Sequence, residues 1–135
     1  MITEDHVSFE TAKLLKEKGF DKAVLITDWW CDAEGQMHKR GNYSYSGAPF
    51  YDKETCFNCP TLQMAMKWLR DEKHYYIQVM LDGWACGGHL GYYVVIQKTD
   101  SDFEMMLHDA VDEVFYQTYE EACEAAIKYC LENLI

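Results

Sequence analysis

From Thr99 to Ile127 the chain contains no lysine and no arginine. A protein that grips a nucleic-acid backbone needs a basic surface, so this stretch argues against direct nucleic-acid binding. Nowhere is there an apolar run approaching the roughly 20 residues of a membrane-spanning helix. The opening Met1-Ile-Thr-Glu-Asp is acidic and has no basic segment followed by an apolar one, so no export signal is expected and the cytoplasm is the expected setting. Also missing are a Gly-rich phosphate loop, a nucleophile elbow, a His-Glu-x-x-His pair and an EF-hand loop. No internal repeat, heptad series or low-complexity linker breaks the chain. With none of these motifs, no catalytic residue, cofactor or metal ligand is assigned, and the chain is not expected to be an enzyme.

What is present points to one packed domain spanning residues 1–135. Hydrophobic residues make up 49% of the chain and aromatics 15%, ample for a core without disulfide staples. The six cysteines (31, 56, 59, 86, 123 and 130) then read as reduced thiols. The net charge of −11 is uneven: residues 1–98 hold 13 acids against 11 bases, residues 99–135 hold 10 against one. A solvated acidic face explains this, and such a field also attracts basic partners.

Local signals give an α-β-β-α-β-β-(β)-α order. Ser8 is a good N-cap for a first helix over Val7–Gly19, with Val7 and Ala12 placed for a hydrophobic staple and Gly19 free to adopt the left-handed cap. Phe20 then returns to the core. The run Lys22–Trp30 has strand length and β-branched character. Asp32–Gly35 reads as a turn, and Gln36–Thr55 as a short strand around Asn42–Ser46 followed by a loop through Pro49. A second helix starts near Pro60 or Thr61, with Leu62, Ala65, Met66 and Leu69 as its stripe, Trp68 at the edge, and an end before Tyr75. Tyr75–Leu81 and Gly91–Gln97 read as strands, with shorter ones at Phe103–Leu107 and Val114–Tyr116. Thr118 and Glu121 form a capping box ahead of a last helix, whose apolar face is Cys123, Ala126, Ile127, Cys130, Leu131 and Leu134. Glu124 and Lys128 stand at i,i+4 on it. The short connections favour antiparallel pairing. The expected class is α+β: an antiparallel sheet of about four or five strands packed with three helices.

The blocks Pro60-Thr-Leu-Gln-Met-Ala-Met-Lys-Trp-Leu-Arg70 and Thr118-Tyr-Glu-Glu-Ala-Cys-Glu-Ala-Ala-Ile-Lys-Tyr-Cys-Leu131, with the opening Val7–Phe20, resemble a family of small uncharacterised proteins of Bacteroides-type gut bacteria and their phages or integrated elements. More loosely, the helix, hairpin and final Glu-Ala-x-x-Ala-Ala helix are similar to the phage α-β-α sandwich domain. The resemblance covers about a third of the chain and leaves Trp29–Cys59 and Leu81–Tyr116 outside it. It implies a phage or mobile-element origin and brings no catalytic residue with it.

Several residue sets still suggest chemistry. Cys56-Phe-Asn-Cys59 with Cys86-Gly-Gly-His89 has a spacing that tetrahedral zinc accepts, and Cys31 with His38 is a substitute for the second pair. Cys56 and Cys59 alone would make a redox dithiol, if Cys59 stood at a helix N-terminus. Cys123 and Cys130 instead read as core cysteines. His108-Asp109 and Asp112-Glu113 set a histidine among carboxylates, without a nucleophile. Trp29, Trp30, Tyr43, Tyr45, Phe50 and Tyr51 are aromatics suited to stacking on bases, but only Lys39-Arg40 is basic beside them. The function expected is that of an accessory protein that binds another protein. The alternatives are an acidic nucleic-acid mimic, using Asp100, Asp102, Asp109, Asp112 and Glu113, and a zinc-stabilised binding module.

Overall fold

A computed structural model describes residues 2–23, 29–39, 51–82, 91–107 and 115–135. The expected α+β class is what it shows: three full helices and antiparallel strands. Among the described residues the strands form two three-stranded sheets, where one sheet of four or five is expected. The chain groups into two compact units, Met1–Thr61 and Leu62–Ile135.

In the first unit, α1 (Phe9–Glu17) starts at Ser8, whose hydroxyl accepts the Thr11 N–H at 3.2 Å. It ends where Gly19 takes φ +99°, a conformation that costs a residue without Cβ little. Thr11, Ala12 and Leu15 line its buried side. Phe20, fully buried, opens a single turn of helix, α2 (Phe20–Ala23). The strand expected over Lys22–Trp30 therefore gives way to helix at its start. Strand β1 is only Trp29–Cys31, and the β-branched centre of that run lies outside the described residues.

Strand β1 pairs antiparallel with β2 (Met37–Lys39), which precedes the strand expected around Asn42–Ser46, a segment outside the described residues. The turn between them is held by Asp32. Its Oδ1 accepts the N–H groups of Glu34 and Gln36 at 3.0 and 2.9 Å, and its Oδ2 meets His38 Nε2 at 2.8 Å. Gly35 closes the turn with φ +87°. On the other side of β1 lies β3 (Phe57–Asn58), a two-residue strand that no local pattern announces. The ladder runs on past it, since the Cys59 N–H donates to the Trp29 carbonyl at 3.0 Å.

The second unit begins with α3 (Leu62–Lys73). Leu62, Ala65, Trp68 and Leu69 are buried, so Trp68 belongs to the stripe and Met66, half-buried, to its margin. His74, at φ +65°, ends the helix before β4 (Tyr75–Asp82). Strand β4 pairs with β5 (Gly91–Lys98) over its whole length, and β5 pairs with β6 (Glu104–Leu107). Tyr92 and Tyr116 exchange two further backbone bonds of 2.8 Å.

Helix α4 (Tyr119–Tyr129) follows Thr118, whose hydroxyl accepts the Glu121 N–H at 3.1 Å as the capping motif requires. Its last turn widens into a π turn, Cys130–Leu134. Cys123, Ala126, Ile127, Cys130 and Leu131 of the face read from the sequence are fully buried, as is Ala122, while Leu134 is half-buried. Tyr75, Ile77, Val94 and Ile96 are the buried hydrophobic side chains of the sheet, and the Tyr75 hydroxyl ties it to the π turn by donating to the Leu134 carbonyl at 3.2 Å. Among the described residues no helix is long and apolar enough to cross a membrane.

Candidate functional site

The Cys56-x-x-Cys59 motif is split by the strand inside it. An extended backbone rises about 3.3 Å per residue and alternates its faces, so two residues three apart stand roughly 10 Å from each other on opposite sides of the sheet. One zinc ion needs sulfurs that both lie about 2.3 Å from it. Cys59 is not at a helix N-terminus either: α3 begins at Leu62, and the Cys59 thiol donates to the Val7 carbonyl at 3.3 Å. The placement that a helix-activated redox dithiol requires is therefore missing. Cys86 and His89 lie outside the described residues. Among the described residues no three His, Cys, Asp or Glu side chains come together as metal ligands.

The pairing creates a different thiol neighbourhood. Strand register sets Cys31 opposite Phe57, and Cys59, two residues on, shares their face of the sheet. Both cysteines are buried. The Cys59 neighbour pulls Cys31 below the ordinary thiol value, while desolvation and the Asp32 charge act against it.

On the opposite face, Trp30 is fully buried. The His38 ring lies over it, centroids 4.5 Å apart, and Tyr51 meets it edge-on at 5.6 Å. Tyr51 donates to Asp21 Oδ2 at 2.9 Å. Burial, and then the Asp21 carboxylate, raise its phenol pKa. Two of the expected stacking aromatics thus serve as packing, while Tyr43, Tyr45 and Phe50 lie outside the described residues. Asp32 and His38 form a hydrogen-bonded pair of catalytic type. Cys31 cannot be the nucleophile of that pair, because it occupies the other face of the strand. The Asp32 carboxylate is held below its ordinary value, chiefly by His38. It acts as the clamp of the hairpin.

Some carboxylates of the acidic stretch have local partners. Asp100 stands 3.8 Å from Lys98 at the β5–β6 turn. Glu120 and Glu121 sit in the first turn of α4, where the helix dipole favours negative charge. His108, Asp109, Asp112 and Glu113 lie outside the described residues.

The most unusual surface is the outer face of the second sheet. Counting by register from buried Ile77, Val94 and Ile96, the opposite face carries Tyr76, Met80, Tyr93, Val95 and Met106. Tyr76 and Met80 are each 39% exposed and Met106 is 61% exposed. An antiparallel sheet with one face in water ordinarily alternates apolar and polar side chains; here the outer face mixes Gln78, Gln97 and Glu104 with exposed apolar side chains. Beside the sheet, a groove of about 320 Å³ runs along β4, lined in part by Gln63, Met66 and Arg70 of α3. Sequence reading placed these strands but not this surface, although the cue was present: Tyr76 and Met80 are apolar at positions where the alternation calls for polar residues. Comparison of the chain with protein-family models, with curated proteins and with solved structures finds no match to any of them.

Proposed function

We propose that the protein is a non-enzymatic accessory protein that acts by binding another protein through the outer face of the β4–β5–β6 sheet. The observation that carries this reading is the exposure of Tyr76, Met80 and Met106 on one sheet face. Exposed apolar side chains grouped on one face of a folded chain mark an interaction site. A partner of apolar surface recovers the transfer free energy that these side chains forgo in water, at about 25 cal/mol per Å² buried. The resemblance of the helical blocks is the ground for placing that role in a phage or mobile element.

The test is retention of proteins from a native-host lysate by the wild-type chain and by Met80→Glu and Met106→Glu, read by mass spectrometry. A stoichiometric partner held by wild type and lost by both variants, with circular dichroism unchanged, is the expected result. A partner held equally by all three, or none held by any, refutes the reading.

A further inference from the structure

The outer face is one surface of the second sheet; the edge of β4 is another, and its chemistry is separate. In an antiparallel ladder, residues alternate between bonding one neighbour and the other. Thr99 donates its N–H to the His74 carbonyl at 2.8 Å, which makes residues 74 and 99 a hydrogen-bonded pair. Two residues at a time along the register, Tyr76↔Gln97, Gln78↔Val95 and Met80↔Tyr93 are hydrogen-bonded pairs too. The backbone groups of Ile77 and Val79 therefore point away from β5. Among the described residues no strand pairs with β4 on that side. The groove there is lined by residues 76–80 of β4, by Gln63, Met66 and Arg70 of α3, and by Tyr119.

Open strand edges are ordinarily blunted by charge, proline or a bulge. Tyr75–Leu81 has no charged residue and no proline. Its apolar side chains are arranged symmetrically about Gln78, although the residues differ: Ile77 stands opposite Val79, Tyr76 opposite Met80, and Tyr75 opposite Leu81 in a two-fold pairing. A two-fold interface brings a patch against itself, so each residue must suit its mirror image. Antiparallel pairing of β4 with β4 of a second copy, centred on Gln78, meets that demand at every position. Ile77 and Val79 exchange backbone bonds with their mirror partners. On the outer face, Tyr76 comes opposite Met80, a favourable sulfur–aromatic pair. Gln78 meets Gln78, and no like charges are opposed.

We propose that the chain associates with a second copy of itself by antiparallel β4–β4 pairing about Gln78, joining the two three-stranded sheets into one of six strands. The inference does not depend on the proposed function.

Sedimentation velocity from micromolar to millimolar concentration tests it, alongside amide hydrogen exchange at both ends of that range. The expected result is conversion to a species of twice the chain mass. The Ile77 and Val79 amides then slow at least tenfold on dimerisation, while those of Gln78 and Met80 are protected throughout. Gln78→Lys places two like charges at the two-fold axis and is expected to weaken association at least tenfold. An equimolar mixture of Gln78→Lys and Gln78→Glu is expected to restore it, which a folding defect would not allow. A single species of one chain mass over the whole range overturns the proposal. So does a dimer in which Ile77 and Val79 still exchange fast. Protection of those two amides only in the presence of a captured foreign protein assigns the edge to another chain's strand, and also overturns it.

Discussion

Cys130 offers a direct measure of how tightly the last helix is packed. Its side chain is fully buried, and burial pushes its thiol up to about 12, against an ordinary value of 9.0. A buried thiol resists ionisation because the thiolate would lose its water without a compensating partner. In the unfolded chain the same thiol ionises freely once the pH passes 9.0. Because the folded pKa lies above the unfolded one, the unfolded state holds fewer protons in that window. Stability therefore falls as the pH rises from about 9 toward about 12, by about 1.4 kcal/mol per pH unit at the limiting slope.

Comparing wild type with Cys130→Ala isolates this contribution, because tyrosine and lysine titrations common to both chains cancel. The substitution carries a constant cost for the lost sulfur. On top of it, wild type loses roughly 1 kcal/mol relative to the variant by pH 10, and on the order of 3 kcal/mol by pH 11. Urea denaturation of both chains at steps from pH 8 to pH 11, followed by far-ultraviolet circular dichroism, reads the difference. A gap that stays constant across that range refutes the argument: the thiol would then be open to water, and the i, i+7 cysteines would not be core residues. Cys123, raised to about 11 chiefly by burial, predicts the same sign over a narrower window.

Three further outcomes are expected. Thr118→Ala removes the acceptor of the Glu121 N–H and lowers stability by about 1 kcal/mol; an unchanged urea midpoint contradicts the cap. Gly35→Ala forces a side chain into φ +87° and sets its Cβ 3.4 Å from the Phe9 ring. A loss of more than about 1 kcal/mol in the first unit is expected, and a neutral result means that the turn is built differently. Asp32→Asn weakens the hairpin clamp in a pH-dependent way. Because the folded pKa of Asp32 lies below 3.8, its contribution is present above that value and is lost as the pH falls through the folded one. The stability gap between wild type and variant should close on acidification below about pH 4, and a gap independent of pH counts against the clamp.

The elements legible in the sequence are those whose causes are local. Helix α4 declares itself through Thr118 and a buried face repeating every three or four residues, and α1 through Ser8 and Gly19. Each of these signals acts within two turns of its own residue. Strands β1 and β3 have causes that lie far away in the chain. Two residues, Phe57 and Asn58, become a strand because Trp30 and Cys31 present a ladder to them. Phe20–Ala23 is a helical turn, and its Asp21, Lys22 and Ala23 are residue types depleted in strands, so the strand does not begin at Lys22. A single sheet is the natural reading when strands are counted along the chain; nothing local says which strands share hydrogen bonds.

The candidate sites divide in the same way. A C-x-x-C spacing counts residues, and a metal counts ångströms. The two agree when the intervening residues turn and disagree when they extend, so Phe57-Asn58 decides the fate of Cys56 and Cys59 before any ligand chemistry is considered. Extension removes Cys56 from Cys59 and, through the same ladder, delivers Cys31 to it. The β4 edge reverses the relation between sequence and site. Every residue of Tyr75–Leu81 is visible as strand, and the symmetry of its apolar pattern about Gln78 needs no coordinates to be noticed. The pattern becomes informative only once the register turns the backbone of Ile77 and Val79 away from β5, because a symmetric strand in the middle of a sheet has no free side to offer. Charge-free, proline-free, symmetric in apolar pattern and unpaired on one side among the described residues are four separate properties. A strand that has all of them carries a persistent risk of pairing with itself, and a chain that gained nothing from that pairing would need only one lysine in β4 to prevent it.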